Sequence, residues 1–167
     1  MLQIIDQISL NSKKHNFIYY LLSLILFGCF ESELIVNNND QLLQKDRGII
    51  YYDNVPLSGI VNSQYPDNKT KSKQTYKSGK LNGPYTEWYP NGKIRYSKNF
   101  KDGLQEGEQR EWYWDGTLAR IMKFQAGKQQ GEQIGWKENG DLRFKYTYVN
   151  GKRYGFMGST LCQPPEG

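Results

Sequence analysis

The sequence predicts an all-β protein, an elongated single-layer antiparallel meander of stacked β-hairpin repeats. Three observations lead there. The chain repeats itself every 24 residues from residue 52 onwards without a gap, so that Tyr52, Tyr76, Phe100, Phe124 and Tyr148 share one column. Gly59, Gly83, Gly107, Gly131 and Gly155 share another. Asn91-Gly92, Asp115-Gly116 and Asn139-Gly140 fall in a third, and such dipeptides between alternating runs are the strongest short hairpin signal. Residues beyond these turns alternate with period two, as half-buried strands do. A fixed spacing of this size marks an array in which each unit is one supersecondary element.

Composition agrees. The 167 residues have room for one domain. Hydrophobic residues make up only 37% of the chain, but aromatics reach 14%, which argues against a disordered chain. Seventeen glycines beside many Asn and Asp residues point to tight turns. The net charge of +5 is mild. No helix-turn-helix, zinc spacing or RNA-binding signature accompanies it, so nucleic acid is not an expected partner.

Residues 1–28 read as a lipoprotein signal peptide. Lys13, Lys14 and His15 form a positive start, and an apolar run follows from Phe17 to Gly28. That run is shorter than the ~20 residues of a membrane-spanning helix. It ends in Leu26-Phe27-Gly28-Cys29, which resembles the bacterial lipobox. The resemblance implies lipidation of Cys29 and a lipid-anchored place in the bacterial cell envelope, at the outer membrane in a Gram-negative cell. An uncleaved anchor, an ordinary signal or a short buried helix are the other readings of the same run. With Cys29 lipidated, Cys162 has no intramolecular partner.

Residues 29–47 are polar and Asn-rich, as suits a tether between lipid and domain, although "ELIVNNNDQLLQ" is open to a short helix or strand. The repeat array is expected over residues 48–156. Each unit is a strand, a two-residue type I′ turn at Asn-Gly or its weaker first copy Asp67-Asn68, and a second strand. Glycine-containing links such as "KSGKLNG" and "KDGLQEG" join one unit to the next. In the second strands, Ile94, Tyr96, Lys98 and Phe100, then Leu118, Arg120, Met122 and Phe124, then Leu142, Phe144, Tyr146 and Tyr148, form the packed face. About nine or ten strands follow from this spacing. Residues 157–167 form a tail, with Phe156, Met157 and Leu161 capping the last hairpin.

Catalytic chemistry is not expected. The one histidine, His15, lies in the leader, which removes Ser-His, Cys-His and His-based zinc arrangements from the mature chain. No P-loop or dinucleotide fingerprint occurs, and no metal or cofactor is implied. The pairs Glu87 with Glu111 and Glu108 with Glu132 are aligned by the repeat itself, and solvent-facing stacking accounts for them.

Two surfaces are candidates for binding. Lys71, Lys73, Arg95, Arg143 and Lys145 fall on the non-packed face and could meet an acidic protein or anionic lipid. The plainer reading is a charged sheet face that resists edge pairing. The second set is Trp88, Trp112 and Trp136 in register, with Tyr89, Tyr113 and Trp114 beside them. Such residues dock proteins or stack on sugars, and they also shield a single-layer sheet.

"GPYTEWYPNGKIRYSKNFKDG" and "GEQREWYWDGTLARIMKFQAG" resemble the variant MORN repeat of bacteria, whose pattern runs from Gly through Trp-Tyr and a short Asn-Gly turn to a strand ending in an aromatic and Gly. The resemblance covers residues 52–155. Bacterial proteins of this arrangement include the YwqK-family antitoxins, so it implies a protein partner, such as a toxin that the chain neutralises. Other MORN-repeat proteins are linked to membrane lipids and scaffolding. A surface glycan or anionic lipid is the alternative partner.

Overall fold

The computed structural model describes residues 33–157 and 160–162; the expected signal peptide and Cys29 lie outside them. Among the described residues there are strands and turns but no helix. The first strands are β1 (Ile35–Asn37), β2 (Leu43–Asp46), β3 (Ile49–Tyr52), β4 (Val55–Pro56), β5 (Gly59–Gln64) and β6 (Thr70–Lys77). Then come β7 (Lys80–Trp88), β8 (Ile94–Lys101), β9 (Leu104–Gln105), β10 (Gly107–Trp112) and β11 (Leu118–Gln125). The last are β12 (Lys128–Gln129), β13 (Gly131–Trp136), β14 (Leu142–Val149), β15 (Lys152–Met157) and β16 (Thr160–Cys162).

From β5 to β16 the long strands follow one another as an antiparallel meander, the predicted fold class. With the short strands β9 and β12 the main sheet has thirteen strands among the described residues. Each hairpin repeats the same register. Trp88 pairs with Ile94, Trp112 with Leu118 and Trp136 with Leu142, and a bulge follows each pair.

The Asn-Gly loops are not the type I′ turns expected. Gly92 N–H donates to the Tyr89 carbonyl at 2.9 Å and Tyr89 N–H to the Lys93 carbonyl at 2.8 Å, closing a three-residue loop Pro90-Asn91-Gly92. Only Gly92 has positive φ, so this is a turn closed by a glycine bulge rather than a type I′ turn. Loops at Gly116, Gly140 and Asn68 close through the same pair of bonds. The I′ turns lie at the links between units. Ser78-Gly79, Asp102-Gly103, Ala126-Gly127 and Asn150-Gly151 all have positive φ at both residues. The link turns fit type I′ because the residues flanking them, such as Lys77 and Lys80, pair directly.

Within the expected tether, residues 29–47, the structure places β1 and β2. β1 runs parallel to β5, with Val36 opposite Val61, and β2 forms a three-stranded sheet with β3 and β4. The physical reason is burial. Val36, Leu57 and Val61 form the hydrophobic core, and Leu43, Ile50, Tyr52 and Tyr76 pack around it. Burying each such side chain contributes on the order of 2 kcal/mol, enough to draw an Asn-rich segment onto the sheet. The start of the array is therefore two-layered and includes a parallel pair, unlike the single antiparallel layer expected.

Candidate functional site

The bulge after each tryptophan decides where the basic residues go. Between Trp88–Ile94 and Glu87–Tyr96 the second strand carries one extra residue, Arg95. Lys71, Ala119 and Arg143 are the extra residues of the other hairpins. A bulge re-aims its side chain. Arg95 Nη1 lies 3.0 Å from Glu87 Oε1, and its guanidinium stands 4.8 Å from the Tyr96 ring centre and 5.6 Å from that of Tyr89. Lys71 stands 5.9 Å from the Tyr65 ring centre. Arg143 shares a groove with Glu111, Arg120 and Phe144.

The predicted basic face is thereby divided. Arg95 and Arg143 join the face of Tyr96 and Phe144, because an added residue breaks the strict alternation on which the prediction rested. Lys73 is exposed opposite Thr86, and Lys145, opposite Ile134, pairs with Glu132 at 2.9 Å. Ile94 and Leu142, expected in the packed face, precede the bulge and are 41% and 44% exposed.

Trp88, Trp112 and Trp136 are half-buried, and their backbone carbonyls have a repeated role. Tyr65 Oη donates to the Trp88 carbonyl at 2.7 Å, Tyr89 Oη to Trp112 at 2.9 Å, and Tyr113 Oη to Trp136 at 2.8 Å. Each loop tyrosine thus locks its hairpin to the next. The column Tyr65, Tyr89, Tyr113 is readable in the sequence but carries no signal of its own beside the tryptophans. Trp114, at the loop tip, is 55% exposed and meets Tyr89 edge-on at 5.1 Å.

The densest polar chemistry lies where the second and third hairpins adjoin. Glu87, opposite Tyr96, accepts from Tyr85 Oη at 2.6 Å as well as pairing with Arg95. Glu111, also opposite Tyr96, pairs with Arg120 Nε. These carboxylates are not the solvent-facing stack expected, because their side chains keep only 14% and 19% exposure. Burial, then the Glu87 contact, raises the Tyr85 hydroxyl well above its ordinary pKa, and burial with Glu111 raises Tyr96. Exposed ion pairs contribute about 0–1 kcal/mol, so these partly buried ones chiefly fix orientation.

Lys98 is the odd member of this cluster. Its Nζ stands 4.2 Å from the Tyr96 ring centre and 5.6 Å from that of Tyr85, in cation–π range. Burial lowers its pKa, against the pull of Glu87 and Glu111. Among the described residues no carboxylate lies within ion-pair distance of it. Lys98 and Arg120 line a groove of about 160 Å³ with Tyr96, Gln109, Met122 and Phe124. The sequence does hold a signal for Lys98, since its column otherwise reads Gln74, Met122 and Tyr146, with no other charge.

No curated protein matches the chain. The MORN repeat variant family matches residues 81–102 and 129–150, two segments that start two periods apart and each span one loop with its flanking strands. Sequence period, hairpin register and this match agree, and the chain is a repeat protein whose hairpins are similar to the MORN repeat variant.

Proposed function

We propose that the repeat sheet is a non-enzymatic module that binds a protein partner through the face around Lys98. The observation that carries this reading is the cluster of Tyr85, Glu87, Arg95, Tyr96, Lys98, Glu111 and Arg120, oriented by mutual contacts beside an open groove. Tyrosines and arginines held in fixed rotamers lose little freedom on binding, which is why such residues dominate protein interfaces. In a narrower version, the leader anchors the chain by lipid on Cys29 at the bacterial envelope, and the array, from the resemblance of its repeats to those of the YwqK-family antitoxins, blocks a toxin there.

Co-purification of a tagged chain with Cys29 retained, from its own cells in detergent, tests both versions. A stoichiometric protein partner is expected, and a toxic partner supports the narrower version. Lipid alone, with no protein at any salt concentration, overturns the reading. A second reading rests on Trp114, whose exposed ring at a loop tip could stack on a sugar. It predicts enrichment of the domain with sedimented cell wall, lost in Trp114→Ala.

A further inference from the structure

We infer that the groove between the second and third hairpins captures an acidic side chain, flanked by apolar residues, on an extended segment of the partner protein. The inference rests on the protein-binding reading above and names the chemistry of its contact.

Charge accounting within the cluster comes first. Arg95 is engaged by Glu87 and Arg120 by Glu111. That leaves three cations against two carboxylates, and Lys98 is the cation without an ion-pair partner among the described residues. The tyrosine rings hold its ammonium in place but accept none of its three donors in a hydrogen bond. A second cation nearby would be repelled, whereas a carboxylate completes the set.

Gln109 adds an independent observation. It is only 6% exposed, lines the same groove, and its Nε2 has no hydrogen-bond partner. One period later, Gln133 Nε2 donates to the Lys123 carbonyl at 2.9 Å and reaches those of Gln130 and Gly131 at 3.3 Å. The same residue at the same repeat position is thus satisfied in one hairpin and unpaired in the hairpin that adjoins Lys98. A buried donor left unpaired costs about 1–3 kcal/mol, so Gln109 marks this junction between hairpins as the one left incomplete.

Size and lining narrow the occupant. A volume near 160 Å³ is below the ~300 Å³ at which small-molecule sites begin, and suits one side chain. Met122 and Phe124 give the groove an apolar wall, which favours a carboxylate borne on a peptide with apolar neighbours.

The test titrates the folded full-length protein with acetyl-Leu-Asp-Leu-amide and with acetyl-Leu-Asn-Leu-amide, following the methylated Lys98 ammonium by NMR. The Asp peptide is expected to shift the Lys98 signal saturably and to bind about tenfold more tightly than the Asn peptide. Lys98→Met should abolish the preference, and Lys98→Arg should keep part of it. Equal affinities, or an unmoved Lys98 signal, overturn the inference. Capture of the native partner separates the two levels. If wild type and Lys98→Met capture it equally, the protein-binding reading stands and the Lys98 site falls. If wild type captures nothing, that reading falls while the peptide titration still decides the site.

Discussion

Ala126 holds a φ of +48° at the first position of a link turn, where the neighbouring repeats place Asp102 and Asn150. A left-handed backbone sets Cβ against the following carbonyl, and this costs an L-residue about 1–2 kcal/mol unless it is Gly, Asn or Asp. The Ala126 N–H donates to Glu106 Oε2 at 2.8 Å, a bond that does not depend on the side chain at 126. Ala126→Asn should therefore stabilise the domain by about 1 kcal/mol, read as a higher midpoint in thermal or urea unfolding. An unchanged midpoint would mean that this turn relaxes without its neighbours. Asn150, substituted by Ala at the equivalent place, should lose a similar amount, which gives the comparison its control.

Beyond the strand pairing between units, the tyrosine locks couple the second hairpin to the third and the third to the fourth. Tyr89→Phe or Tyr113→Phe removes one hydroxyl and leaves the ring, so each should cost about 1 kcal/mol. The two bonds join different pairs of hairpins, and the double variant should show near-additive loss in chemical denaturation. A much larger loss from Tyr89→Phe alone would show that its edge contact with Trp114 depends on the hydroxyl. At this scale the sequence was legible where the repeat was regular. The period, the hairpins and their strands follow from aligned glycines and aromatics. Turn type was not legible, because Asn-Gly suits both a two-residue I′ turn and a three-residue loop closed by glycine. Only the hydrogen bonds of residues such as Tyr89 and Lys93 separate them. The candidate site was half legible. Of the cluster around Lys98, the sequence marks Arg95 as a binding candidate and assigns Tyr96, Lys98 and Arg120 to the packed face. The single extra residue at the bulge brings Arg95 to their side, and Trp88, Trp112 and Trp136 lie outside the cluster. Strand β1 was left open between helix and strand because three residues carry no period, and its place depends on a distant partner, β5.

Across the whole molecule, repetition allows a clean separation of fold from site. Removing residues 105–128 joins Leu104 to Gln129 in register, since Gln129 stands one period after Gln105. The shortened array should fold cooperatively, because each unit touches mainly its neighbours. It should also lose the Asp-over-Asn peptide preference, since Gln109, Arg120, Met122 and Phe124 leave with the deleted unit. A second whole-molecule property is the response to alkali. Burial raises Tyr76, Tyr85, Tyr96 and Tyr146 above their ordinary pKa of 10.0, so the folded chain holds these phenolic protons more tightly than the unfolded chain. Their stabilising contribution is complete below pH 10 and is lost as pH climbs through the folded values. Lys98 works the other way. Its pKa is lowered from 10.5, so its contribution to stability increases as pH approaches that value. Four tyrosines outweigh one lysine, and the unfolding midpoint should fall steeply above pH 10, together with the rise of tyrosinate absorbance. Tyr85→Phe should flatten that fall. A midpoint that stays level while tyrosinate absorbance rises would show that these rings ionise without leaving the sheet.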